Sequence, residues 1–134
     1  MLFFIWIVVI SANNCGVYPP TAFFSDYQYG MRLIANYDSN TKNSTVIACG
    51  IPNPVIFGFV PGYIIFLIPS SLNTVYTLSE SGDIYVIEST KKSIYLQNIK
   101  GSKYFHLGKS AGPGNINTLH VMTDKDIVTI VVRN

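Results

Sequence analysis

The sequence predicts an all-β fold, a two-sheet antiparallel β-sandwich of the jelly-roll kind, with a small barrel as the second choice. Three observations lead there. Short apolar runs rich in β-branched and aromatic residues recur along the whole chain. Turn signals separate them at intervals of about 8 to 12 residues, the spacing of sandwiches and barrels. No stretch repeats its apolar residues with the 3.6-residue period of a helix.

The richest apolar stretch outside the amino terminus runs from Val46 to Pro69. Its length would suit a transmembrane helix, but Pro52, Pro54 and Pro61, with Gly50, Gly58 and Gly62, break that reading. Each interior proline costs a helix about 3 kcal/mol. The stretch is therefore expected to hold two buried strands, Val55 to Val60 and Tyr63 to Ile68, joined by a tight Pro61-Gly62 turn.

Upstream, Leu33, Ala35 and Tyr37 alternate with Arg32, Ile34 and Asn36, the period of a strand. A polar loop from Asp38 leads into a strand from Thr45 to Cys49. Downstream, strands are expected at Asn73 to Leu78, Ile84 to Glu88, Ile94 to Ile99, Lys103 to Leu107, Asn117 to Met122 and Ile127 to Val132. The turns between them are Ser79 to Asp83, Ser89 to Ser93, Gly101-Ser102, Gly108 to Gly114 and Asp124 to Asp126. At the sequence level no internal repeat is evident.

A chain of 134 residues, 49% hydrophobic and 12% charged, is one domain with enough apolar content for a core. Its formal charge of +2 is too small for a nucleic-acid-binding surface. Leu2 to Ile10 is an unbroken apolar run followed by Ser11-Ala12-Asn13-Asn14, which reads as a signal peptide over residues 1–14, with Ser11, Ala12 and Gly16 as other cut sites. It lacks the usual preceding Lys or Arg, and the competing reading is a buried first strand. Residues 15–134 then form the single β domain of a secreted protein without a stable membrane span.

Export bears on the two cysteines. If cleavage precedes Cys15, Cys15 and Cys49 can pair in the oxidising secretory route. Closing that loop of about 35 residues would stabilise the fold by roughly 3 to 4 kcal/mol. If cleavage follows Gly16, Cys49 is left as a small buried hydrophobe. The sequon Asn43-Ser44-Thr45 marks a glycosylation site in keeping with export.

Catalytic and cofactor signatures fail on inspection. Gly108-Lys109-Ser110 resembles the end of a phosphate-binding loop, yet position 103 is Lys and Ala111-Gly112-Pro113-Gly114 is a poor helix start. His106 and His120 are expected side by side on the outward face of their strands, with Phe105, Leu107, Leu119 and Val121 pointing inward. Two histidines fall short of a metal set, and no Gly-x-Ser-x-Gly elbow places a nucleophile. No cofactor is implied. A small secreted hydrolase using His106 or His120 is the alternative from a different class.

Charge order is more informative. Between Glu88 and Asp124 there is no acidic residue, while Lys91, Lys92, Lys100, Lys103 and Lys109 fall in that interval. One side of the domain is thus expected to be basic, and Lys91, Lys92 and Lys103 with Tyr95, Tyr104 and His106 form a candidate site for glycans or anionic surfaces. The plainer explanation is that lysines fill solvent-facing turns and discourage edge pairing. A protein partner at the cell surface or in the extracellular space, and self-association, suit the apolar composition equally.

Taken together, Cys15 with Tyr18-Pro19, the second Cys49, and Val60-Pro61-Gly62-Tyr63 leading into Ile64-Ile65-Phe66-Leu67 resemble the CUB-like secreted domains of nematodes, over residues 15 to 132. The resemblance implies a β-sandwich that is extracellular and non-enzymatic, linked to pathogen or stress responses, and it carries over no catalytic residue.

Overall fold

The computed structural model describes residues 21–26, 28–49, 54–109 and 116–133. The segment read as a signal peptide, Cys15, and most of the expected Gly108 to Gly114 loop lie outside the described residues. Within them the chain forms eleven strands and no helix. The first four are β1 (Phe23–Phe24), β2 (Arg32–Asp38), β3 (Asn43–Cys49) and β4 (Val55–Pro61). Next come β5 (Ile64–Pro69), β6 (Thr74–Ser79), β7 (Asp83–Glu88) and β8 (Ile94–Asn98). The last three are β9 (Ser102–Lys109), β10 (Ile116–Thr123) and β11 (Ile127–Arg133).

These strands fall close to the expected positions because the alternation of apolar and polar residues sets them locally. They pair antiparallel into three sheets, each in chain order: β1-β2-β3-β4, β5-β6-β7-β8 and β9-β10-β11. The sheets stack face to face as an extended sandwich and do not close into a barrel.

The middle sheet is buried on both faces. Toward the first sheet it presents Ile64, Leu67, Val75 and Ile87, which pack on Leu33, Ala35, Val46, Phe57 and Val60. Toward the third it presents Tyr76, Leu78, Ile84 and Val86, which pack on Phe105, Leu119 and Val121. Three layers rather than two follow from this two-sided apolar pattern, because each face of a sheet needs its own cover.

One expectation about the central stretch is corrected. The strands either side of Pro61-Gly62 are not partners; β4 is an edge of the first sheet and β5 an edge of the second. Nor is β4 buried on both faces, since Ile56 and Phe59 are 57% and 59% exposed. Gly62 adopts φ +92°, and its N–H donates to the Lys42 carbonyl at 2.9 Å. The buried Ser44 hydroxyl donates to the Gly62 carbonyl at 2.7 Å. The β2–β3 turn thereby holds the link that carries the chain from one layer to the next.

The same device recurs one sheet later. The Ile99 N–H, in the link from β8 to β9, donates to the carbonyl of Gly82 in the β6–β7 turn at 2.9 Å. Gly82 has φ +93°, and a Cβ there would lie 2.5 Å from the Ile99 carbonyl oxygen, so a side chain does not fit.

With the strands aligned, the sequences correspond as well. Asn73-Thr74-Val75-Tyr76-Thr77-Leu78 matches Asn117-Thr118-Leu119-His120-Val121-Met122, and the Leu78↔Ile84 and Tyr76↔Val86 pairs match Met122↔Ile127 and His120↔Thr129. The repeat is one of structure, each unit an antiparallel meander; of the six aligned residues only the opening Asn-Thr is shared.

A polar bond crosses the second interface. The Asn117 side-chain amide donates to the Tyr76 hydroxyl at 2.9 Å inside the core. Burial raises the Tyr76 phenol above its ordinary value of 10.0, the Asn117 bond partly offsets that, and the Glu88 charge adds to it. A raised folded-state value means that this contribution is complete below the unfolded phenol's titration and is lost as pH rises through the folded one. Urea stability is therefore expected to fall above about pH 10. Tyr76→Phe should lessen that fall while costing about 1 to 3 kcal/mol at neutral pH, because the Asn117 amide is left unpaired. Equilibrium unfolding of both proteins across that range measures it.

Candidate functional site

The candidate residues fall in two groups on different sheets. Lys91, Lys92 and Tyr95 belong to the β7–β8 hairpin, and Lys103, Tyr104 and His106 lie on β9.

Lys91 and Lys92, but not Tyr95, border a groove of about 500 Å³ between edge strand β4 and the β7–β8 turn, lined by Ile56 to Phe59 and by Thr90 to Ser93. The groove owes its shape to Gly58. A Cβ at that position would sit 2.6 Å from the Ile87 Cγ2, so only glycine lets β4 lie this close to β7. Beside this contact Ile56 and Phe59 turn outward and form an apolar wall.

Opposite them, the Lys91 N–H donates to the Glu88 carbonyl at 2.9 Å and closes the turn. Thr90 holds φ +68°, a left-handed conformation that is uncommon for a β-branched residue and costs of order 1 to 3 kcal/mol. The Lys91 ammonium lies 3.0 Å from a Glu88 carboxylate oxygen in an exposed pair, which contributes about 0 to 1 kcal/mol. Lys92 has no acidic partner among the described residues. Tyr95 is exposed on β8 with its ring centroid 5.3 Å from that of Tyr85. Burial first, then the Asp83 charge and Tyr95, raise the Tyr85 phenol above its ordinary value.

In the second group, His106 and His120 are directly opposed in the β9–β10 ladder, on the outward face as expected. Phe105, Leu107, Leu119 and Val121 point the other way, into the core. The Tyr104 ring stands edge-on to His106 at 5.6 Å and also meets Phe66 at 6.2 Å. His120 Nδ1 lies 3.4 Å from the Thr129 hydroxyl. Of the nearby acids, Asp126 accepts a hydrogen bond from the Thr123 hydroxyl at 2.8 Å within the β10–β11 turn. Among the described residues no group of three histidine, cysteine or acidic side chains is placed to hold a metal.

Two further sites are partly described. Asn43 is exposed at the start of β3. Cys49 ends the same strand opposite Arg32 and is half-buried.

Ile56, Phe59 and Thr90 were not singled out by the sequence, although each left a trace there. The two-sided hydrophobicity of Val55 to Val60, taken as burial, is the signature of an edge strand that serves a core on one face and a surface on the other. Thr90 is the residue that a tight Ser-Thr-Lys-Lys-Ser turn forces to a positive φ.

No family model, curated protein or solved structure matches the chain. Among the described residues no helix is long and apolar enough to cross a membrane.

Proposed function

We propose that the chain is an exported, non-enzymatic binding module that takes an anionic glycan in the groove between β4 and the β7–β8 turn. The observation that carries this is the placing of Lys91 and Lys92 over an exposed apolar wall of Ile56 and Phe59. A concave, mainly apolar site with a few charged groups is the usual form of a ligand pocket. The lysines would meet sulfate or carboxylate groups, and the apolar wall the hydrocarbon face of the sugar. Glu88 offsets part of the Lys91 charge, but Lys92 has no acidic partner among the described residues and the sequence has no acidic residue from there to Asp124, which favours an anion at this hairpin. The resemblance to CUB-like secreted domains points to the same class.

Export is part of the proposal. Signal cleavage before Cys15, a Cys15–Cys49 disulfide and a glycan on the exposed Asn43 belong together in an oxidising compartment. Intact mass of protein recovered from the medium of a eukaryotic host should begin at or before Cys15, rise by two hydrogens on reduction and include glycan at Asn43. A full-length, unglycosylated mass from inside the cell would contradict it.

For the groove, binding to a sulfated glycan probe should weaken by about tenfold or more in Lys91→Glu/Lys92→Glu and should fall with added salt. His106→Ala and His120→Ala should stay within about a few-fold of the parent. Binding indifferent to the lysine reversal, or lost in either histidine variant, would sink the assignment; turnover that depends on a histidine would support the hydrolase alternative.

A further inference from the structure

We propose, building on the groove as a site for an anionic glycan, that the glycan is an alternating one. Its acidic sugar lies in the groove, and the uncharged sugar next to it sits in a second concavity across the β7–β8 turn.

The second concavity has a volume of about 390 Å³ and is lined by Asn73, Thr74, Glu88, Ser89, Thr90 and Lys91. Thr90 and Lys91 also line the groove of about 500 Å³, so the two spaces meet at the turn. Both volumes lie in the range of about 300 to 1,000 Å³ usual for small-molecule sites. A chain of sugars lying across the turn places one unit on each side of it.

The two sides differ in charge. In the groove Lys92 adds to Lys91 a positive charge that no acidic group among the described residues offsets. Beyond the turn the Glu88 carboxylate, 3.0 Å from the Lys91 ammonium, cancels the lysine's charge, and the rest of the lining is uncharged. An acidic sugar is therefore favoured beside Lys92. A second acidic sugar would meet the Glu88 carboxylate, which selects an uncharged one there.

The two sides differ in polarity as well. The groove has the apolar wall of Ile56 and Phe59, whereas every residue lining the second space is polar. Among the described residues, the Asn73 amide and the Thr74 and Ser89 hydroxyls have no hydrogen-bond partner, which leaves them for the hydroxyl and amide groups of a sugar. Their backbones are already fixed. The Ser89 N–H donates to the Asn73 carbonyl at 2.8 Å, the Ser70 N–H donates to the Thr74 carbonyl at 2.8 Å, and Thr74 pairs with Glu88 in the β6–β7 ladder. A site held in this way has little backbone freedom left to lose on binding.

Binding of the full chain to two probes of equal length tests the alternation: a hyaluronan oligosaccharide, with a carboxylate on every other sugar, and a heparin oligosaccharide, charged on every sugar. At physiological salt the parent should prefer hyaluronan. Asn73→Ala and Ser89→Ala should each weaken hyaluronan binding by about threefold or more, and Glu88→Gln should shift the preference toward heparin by about fivefold or more. An unchanged thermal transition shows that each variant is folded; should one fail to fold, the others and the parent's preference still decide. A parent that prefers heparin, hyaluronan binding unmoved by Asn73→Ala and Ser89→Ala, or a preference unmoved by Glu88→Gln would each overturn the second site. If binding is then still lost in Lys91→Glu/Lys92→Glu, the groove stands and only the alternation falls. Binding indifferent to that reversal removes the groove as well.

Discussion

The sheet β5–β8 is apolar on both faces, and neither face can be left to water. Tyr76, Leu78 and Ile84 on one side and Val75 and Ile87 on the other are fully buried. Burying one such side chain is worth about 1.5 to 3 kcal/mol relative to leaving it exposed, so removing either outer sheet would be costly. The first and third sheets meet this need with their inner faces, and the chain enters the middle sheet from one and leaves it for the other. The groove and the interlayer hydrogen bond both follow from that arrangement.

Close approach between layers is set at a few positions without side chains. Gly58 lets β4 touch β7, and Gly82 lets the β6–β7 turn reach the link at Ile99. Polar groups in these places are paired; the Ser44 hydroxyl and the Gly62 N–H both bond across the first link. A layered fold with short links depends on such ties, because an unpaired buried backbone group costs about as much as a lost hydrogen bond.

Strand positions were legible in the sequence because alternation is a local property. Sheet membership was not. Pro61-Gly62 between two apolar runs has the form of a hairpin turn, but the Gly62 N–H bonds to Lys42, a partner distant in sequence, and the chain changes layer there. The repeat was obscured because the β10–β11 turn is one residue shorter than the β6–β7 turn and because His120 stands where Tyr76 does. The outward, side-by-side placing of His106 and His120 was legible, since a strand's period of two decides it. Charge order along the chain does not tell on which sheet a lysine lies: of the six candidate residues Lys91, Lys92 and Tyr95 fall on the β7–β8 hairpin, while Lys103 went with Tyr104 and His106 on β9.

If the middle sheet is the hub, its amides should be the last to exchange. Native-state hydrogen exchange measures this directly. Amides paired between β6 and β7, around Tyr76, Thr77 and Val86, should exchange only through global unfolding, while those of β1, β8 and β11 open at lower free energy. Protection that survives in the first or third sheet after β6 and β7 have exchanged would show that the sheets are stable without their common layer, and would contradict the account.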